Sequence, residues 1–134
     1  MLSQINVLFI EDDPDQLFLF GKSFELTNVL TQPATTEEEV FRFLPLLDYD
    51  IVLLDVMLRH ENGLDIMEKL KKDKRAKDLP FFVFTNTDKK EFRDRAEKLG
   101  ANAYIIKSET LPQEMAARIR KFVEERRTKK SAQK

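Results

Sequence analysis

The 134-residue chain has no cysteine, no excess of either charge and no long apolar run. Without cysteine, zinc fingers, thiol catalysis and disulfide scaffolds are excluded. The 23 Lys and Arg offset 24 Asp and Glu, leaving a formal net charge of −1. That balance gives no overall electrostatic case for nucleic-acid binding. No apolar stretch approaches the roughly 20 residues that cross a bilayer. The N-terminus, MLSQINVLFIEDD, lacks a basic region ahead of its apolar run and does not read as a signal peptide. A soluble, cytoplasmic protein of one-domain length is expected, able to bury a core without metal or disulfide staples.

Four continuous apolar runs stand out: Ile5 to Ile10, Ile51 to Leu54, Phe81 to Phe84 and Tyr104 to Ile106. Each is too short for a helix and rich in β-branched or aromatic residues. That is the pattern of strands buried on both faces of a parallel sheet. A fifth, weaker strand is expected around Val29 to Gln32. Between the runs lie stripes of helical spacing. Pro14 suits a first turn, with Leu17, Phe20 and Phe24 on one face. Thr35 and Thr36 each stand three residues before a glutamate and offer two capping boxes, followed by Val40, Phe43, Leu44 and Leu47. Leu64, Met67 and Leu70 form the next stripe. Phe92, Ala96 and Leu99 form another, closed by Gly100. After Pro112 come Met115, Ile119, Phe122 and Val123. All these stripes read as core packing.

Strand and helix alternate five times. This predicts an α/β, flavodoxin-like, doubly wound fold with a parallel five-stranded sheet in the order 2-1-3-4-5. One domain is expected over residues 1–127, with a basic, disordered tail over 128–134. In such a topology the C-terminal strand ends meet on one edge. They carry Glu11, Asp12 and Asp13, then Asp55, then Thr85, then Lys107. Singly, each has a plain explanation: a helix cap, a turn or a surface lysine. Together they place carboxylates, a hydroxyl and an ammonium in one site. Crowded carboxylates resist ionising unless a cation compensates. Mg²⁺, with Mn²⁺ as a substitute, suits such oxygen donors and would prepare Asp55 to attack a phosphoryl group.

At these positions the sequence resembles a bacterial response-regulator receiver domain, of the stand-alone, chemotaxis-regulator-like kind. The residues carrying the resemblance are VLFIEDD at 7–13, DIVLLDVML at 50–58 with Gly63 beyond, FVFTN at 82–86 and GANAYIIK at 100–107. The resemblance implies a two-component phosphoacceptor served by a histidine kinase or histidine phosphotransfer protein. By position, Asp55 matches the phosphoacceptor. Glu11, Asp12, Asp55 and the Met57 backbone carbonyl match the metal site. Thr85 and Lys107 match the groups that hold the phosphoryl oxygens. Thr85 and Tyr104 match the switch pair. Asp13, Asn86 and Thr87 flank the site. Output is expected through the face of the fourth helix, fifth strand and fifth helix, with Lys89, Lys90, Arg93, Arg95, Tyr104 and Arg118. That output is contact with a downstream protein or homodimerisation. Neither a membrane nor a nucleic-acid partner is expected, the basic Arg126, Arg127, Lys129 and Lys130 notwithstanding.

Three positions depart from the family pattern. Arg59 stands where proline is usual. Ser108 stands where proline usually follows the lysine across a cis peptide, and cis is the expectation here too, at a cost of about 3–4 kcal/mol. Asn86 stands where a small residue is usual, and would either narrow the site or bond to the phosphoryl group. Met57 and Thr87, which flank the attacking water, are poor at orienting it, so slow self-catalysed phosphate loss is expected. A phosphorylation-independent binding module is the alternative. A dedicated enzyme is not expected, because a phosphatase using an aspartate nucleophile needs an acid where Met57 stands.

Overall fold

The apolar runs form the strands of one parallel sheet. A computed structural model describes residues 2–132. The chain runs through β1 (Ile5–Ile10), α1 (Pro14–Glu25), β2 (Val29–Ala34), α2 (Glu37–Phe43), β3 (Ile51–Leu54), α3 (Gly63–Leu70), β4 (Phe81–Thr85), α4 (Lys90–Leu99), β5 (Ala103–Ile106) and α5 (Pro112–Ala132). Short 3₁₀ turns follow α2 and β5. The sheet order is β2-β1-β3-β4-β5, as the alternation predicts.

Alternating residues of each central strand feed two separate cores. Val7, Phe9, Leu53, Phe82 and Phe84 face α1 and α5, where they meet Phe20, Phe24, Met115 and Ile119. Leu8, Ile10, Val52, Leu54 and Val83 face the other way, onto Val40, Leu64, Met67 and Leu70. Each fully buried apolar side chain contributes about 1.5–3 kcal/mol. The continuous apolar runs are therefore the sequence of a sheet covered on both sides.

Local chemistry sets where the helices begin and end. Asp13 caps α1, its Oδ1 accepting from the Asp15 N–H at 2.9 Å, and Pro14 follows in the first turn. Thr36 caps α2, its Oγ1 accepting from the Glu39 N–H at 3.1 Å. The Glu39 carboxylate reaches back to Thr35 instead, accepting from its N–H at 2.7 Å and its hydroxyl at 2.6 Å. Gly100 ends α4 with φ +91°, a left-handed turn that disfavours any side chain.

Two expectations are corrected. Leu47 does not join the buried stripe of Val40 and Leu44 and is 47% exposed. Helix α2 stops at Phe43, and Pro45 opens a 3₁₀ turn that carries Leu47 off the helical face. Nor does a disordered tail begin at 128, because α5 continues to Ala132. Just before that stretch the Arg126 guanidinium donates to the Asp78 carbonyl at 2.7 Å, and Arg127 donates to the Gln4 carbonyl and the Asp50 carboxylate. Gln133 and Lys134 of the expected tail lie outside the described residues.

Candidate functional site

The parallel order aligns the C-terminal ends of β1, β3, β4 and β5 on one edge of the sheet. Glu11, Asp12, Asp13, Gln16, Asp55, Met57, Thr85, Asn86, Thr87 and Lys107 line one cleft of about 290 Å³ there. Every site residue expected on a strand end is thus brought to the same place. Tyr104, two residues before the end of β5, reaches the edge through its bond to Thr87.

Lys107 is the hub. Its ammonium donates to Asp55 Oδ2 at 2.7 Å and also to Glu11 Oε1. All three side chains are at least nine-tenths buried. Burial pushes the Glu11 carboxyl above the ordinary glutamate value, and its contacts with Lys107 offset this only in part. Burial pulls Lys107 the other way, but the Asp55 charge and the bonds to Asp55 and Glu11 outweigh it and hold the ammonium above its usual value. Lys107 therefore carries a firm positive charge against Asp55.

The remaining oxygens are also engaged. Glu11 Oε2 accepts from the N–H groups of Asp12 and Asp13 at 3.0 and 3.2 Å. Asp55 Oδ1 accepts from the Met57 N–H at 3.1 Å. Asp12 Oδ2 accepts from the Arg59 N–H at 2.5 Å, a bond that proline in that place would forbid. Gly63 lets this loop close: a methyl group there would overlap the Asp55 carbonyl. The Gly63 N–H donates to the Val56 carbonyl at 2.8 Å.

Thr85 is fully buried, with Oγ1 3.5 Å from the Thr87 N–H. Tyr104 is half-buried, and its hydroxyl donates to the Thr87 carbonyl at 2.7 Å. The Arg93 guanidinium covers the Tyr104 ring at 4.6 Å. Asn86 accepts from the Ser108 N–H at 2.8 Å through Oδ1. The expected cis peptide after Lys107 is absent: among the described residues every peptide is trans. Ser108 enters a 3₁₀ turn over 107–109, and Lys107 reaches Asp55 without the cis cost. Asp13 belongs to the α1 cap more than to the cleft. Arg95 on α4 turns toward α3, donating to Asp65 at 2.6 Å.

Mg²⁺ asks for hard oxygen donors and only one or two carboxylates. Asp12, Asp55 and the carbonyl of Met57 supply that chemistry at the cleft, so the donor set fits. Among the described residues no three acidic or histidine side chains are gathered as a ready-made metal cluster. The Glu11 oxygens are engaged by Lys107 and two backbone amides.

Relatives fit the same frame. The response regulator SaeR of Staphylococcus aureus is 30% identical over 114 residues, covering 85% of this chain and 48% of that protein. The chain thus spans about half the length of the curated relatives it matches. A CheY-like receiver domain protein from Methanospirillum hungatei superposes with a TM-score of 0.84 at 21% identity, over 95% of this chain and 99% of that one. The non-phosphorylated HemR receiver domain of Leptospira biflexa gives 0.79 at 28% identity, over 90% and 94%. The family model for the response regulator receiver domain matches residues 7–120. With the fold, the strand-end residues and that match in agreement, the chain belongs to the response regulator receiver domain family.

Proposed function

We propose that Asp55 accepts a phosphoryl group from the phosphohistidine of a histidine kinase or histidine phosphotransfer protein. The observation that carries this reading is the Lys107 ammonium bridging Asp55 and Glu11 in a cleft that Thr85 also lines. An Asp55 carboxylate oxygen attacks phosphorus. The P–O bond forms as the P–N bond breaks, and its electron pair stays on the imidazole nitrogen. Lys107 already sits where charge gathers on the transferring oxygens. Thr85 supplies a hydroxyl donor. Asp12, Asp55 and the Met57 carbonyl, with Glu11 beside them, would hold Mg²⁺, which would supply further charge neutralisation when bound.

The signal leaves through a two-state element. Tyr104 is tied by its hydroxyl to the segment that follows Thr85. A shift of Thr85 toward a phosphoryl oxygen changes the segment Tyr104 holds and biases the α4, β5 and α5 face. Lys89 stands at the start of α4, and Lys90, Arg93, Arg95, Tyr104 and Arg118 lie on these elements and suit a downstream protein or a second copy of the chain. No helix among the described residues is long and apolar enough to cross a membrane. This agrees with a cytoplasmic place of action.

Incubation with Mg²⁺ and acetyl phosphate, followed by intact mass, tests the assignment. One added phosphoryl group that needs Mg²⁺ and disappears in Asp55→Asn is the expected result. A folded protein that takes none, from acetyl phosphate or from a phosphorylated kinase domain, would make the chain a phosphorylation-independent binding module. Because neither Met57 nor Thr87 can orient water strongly, loss of the phosphoryl group is slow. A half-life of seconds without a helper phosphatase is the contrary outcome.

A further inference from the structure

Two departures from the family pattern meet in one hydrogen bond. Ser108 replaces a proline and therefore carries an N–H. Asn86 replaces a small residue and has a side chain long enough to accept from it, at 2.8 Å. Neither replacement could make this bond alone. Because the donor is a backbone N–H, the accepting atom is the Asn86 oxygen, and its NH₂ is left free to donate. Both residues are exposed, and Asn86 lines the cleft.

The position of the bond is what gives it a consequence. Asn86 directly follows Thr85, and the Ser108 N–H belongs to the peptide that directly follows Lys107. The bond therefore joins the segment carrying the hydroxyl to the segment carrying the ammonium, across the mouth of the cleft. Thr110 closes the same turn from the far side, its N–H donating to the Lys107 carbonyl at 3.2 Å.

We propose that Asn86 is a positioning residue for the phosphoacceptor site: it latches the peptide after Lys107 in its trans path, so that Lys107 and Thr85 move as one unit. This rests on the reading of Asp55 as phosphoacceptor. The latch depends on the backbone N–H that a proline at 108 would lack. It also answers what a larger residue at 86 is for, since its oxygen is committed to Ser108 and cannot activate a water.

Amide hydrogen exchange and phosphorylation kinetics test this together. In the wild-type protein the Ser108 N–H is protected, and Asn86→Ala removes that protection. Asn86→Ala slows Mg²⁺-dependent phosphorylation by acetyl phosphate about three- to tenfold, the weight of one ordinary hydrogen bond. Ser108→Ala keeps the N–H and leaves the rate unchanged. Ser108→Pro removes it and matches Asn86→Ala, and the double variant Asn86→Ala/Ser108→Pro is no slower than either. Additive losses, or equal Ser108 exchange with and without Asn86, would overturn the latch. If the wild-type protein takes no phosphoryl group, the phosphoacceptor reading fails, and the exchange result still decides whether the latch exists.

Discussion

Lys107 shows what a single buried charge can organise. Two acids, Glu11 and Asp55, share it at the C-terminal edge of the sheet, where all three side chains are at least nine-tenths buried. Removing one member of such a buried set leaves its partners uncompensated. Lys107→Met should cost about 3 kcal/mol of stability by urea denaturation at neutral pH. Adding Glu11→Gln should recover part of it, because one of the two stranded carboxylates is then gone. A different lesson comes from Asp73, after α3. Its Oδ1 and Oδ2 accept from the Arg75 guanidinium at 3.0 and 2.8 Å, and Oδ1 accepts from the Arg75 N–H at 2.8 Å. These bonds lower its pKa to about 2. A depressed carboxyl contributes stability above its unfolded value, and that contribution fades as pH falls toward about 2. Carbon-13 titration should find Asp73 still charged at pH 3, with Arg75→Ala returning it toward about 3.9. Nothing in the sequence marked Asp73, since an acid two residues from an arginine is ordinary until the turn is known.

At the scale of elements, the loops and termini depend on close approaches that composition does not display. Gly63 opens α3 directly against the Asp55 carbonyl. Gly63→Ala should therefore destabilise the protein by about 1–3 kcal/mol and displace Asp55, readable as a lower urea midpoint and slower phosphorylation. Arg120 on α5 is a second case. It is buried, and its guanidinium donates to the backbone carbonyls of Ser3 and Thr27, with Asn28 beside them and Glu124 one helical turn on. It fastens the helix to the start of β1 and to the turn between α1 and β2. In that turn Asn28 adopts φ +60°. Arg120→Met should cost about 3 kcal/mol, because several carbonyls lose their donor at once. A lone arginine inside an otherwise apolar stripe looks like a solvent-facing residue in sequence. Its role needs three segments that are distant along the chain.

For the whole molecule, the sheet is the object that both cores share. Phe84 is fully buried, and its ring meets that of Phe20 edge-on at a centroid distance of 4.9 Å. It also stands next to Thr85. Phe84→Ala should cost about 3–5 kcal/mol in thermal or urea unfolding. Any loss of phosphorylation should be small by comparison at temperatures where the variant remains folded. The opposite order, a stable protein with a dead site, would mean that β4 is held by the site rather than by the core.

The alternation of buried strands and amphipathic stripes determined the fold class and sheet order, because a right-handed parallel crossover leaves few arrangements once five such pairs are counted. It also determined which residues reach the working edge, since a strand end is a position in sequence as well as in space. Only the tertiary structure decided how those residues pair. Glu11 gives an oxygen to Lys107, Asp12 takes the Arg59 N–H, and Asn86 takes the Ser108 N–H. The expected cis peptide and the disordered tail both gave way at this level. The peptide after Lys107 found a partner in Asn86, and helix α5 carried residues 128–132 onward. Periodicity carries the burial of a residue, but hydrogen bonding depends on which donor and acceptor the fold sets within about 3 Å of each other.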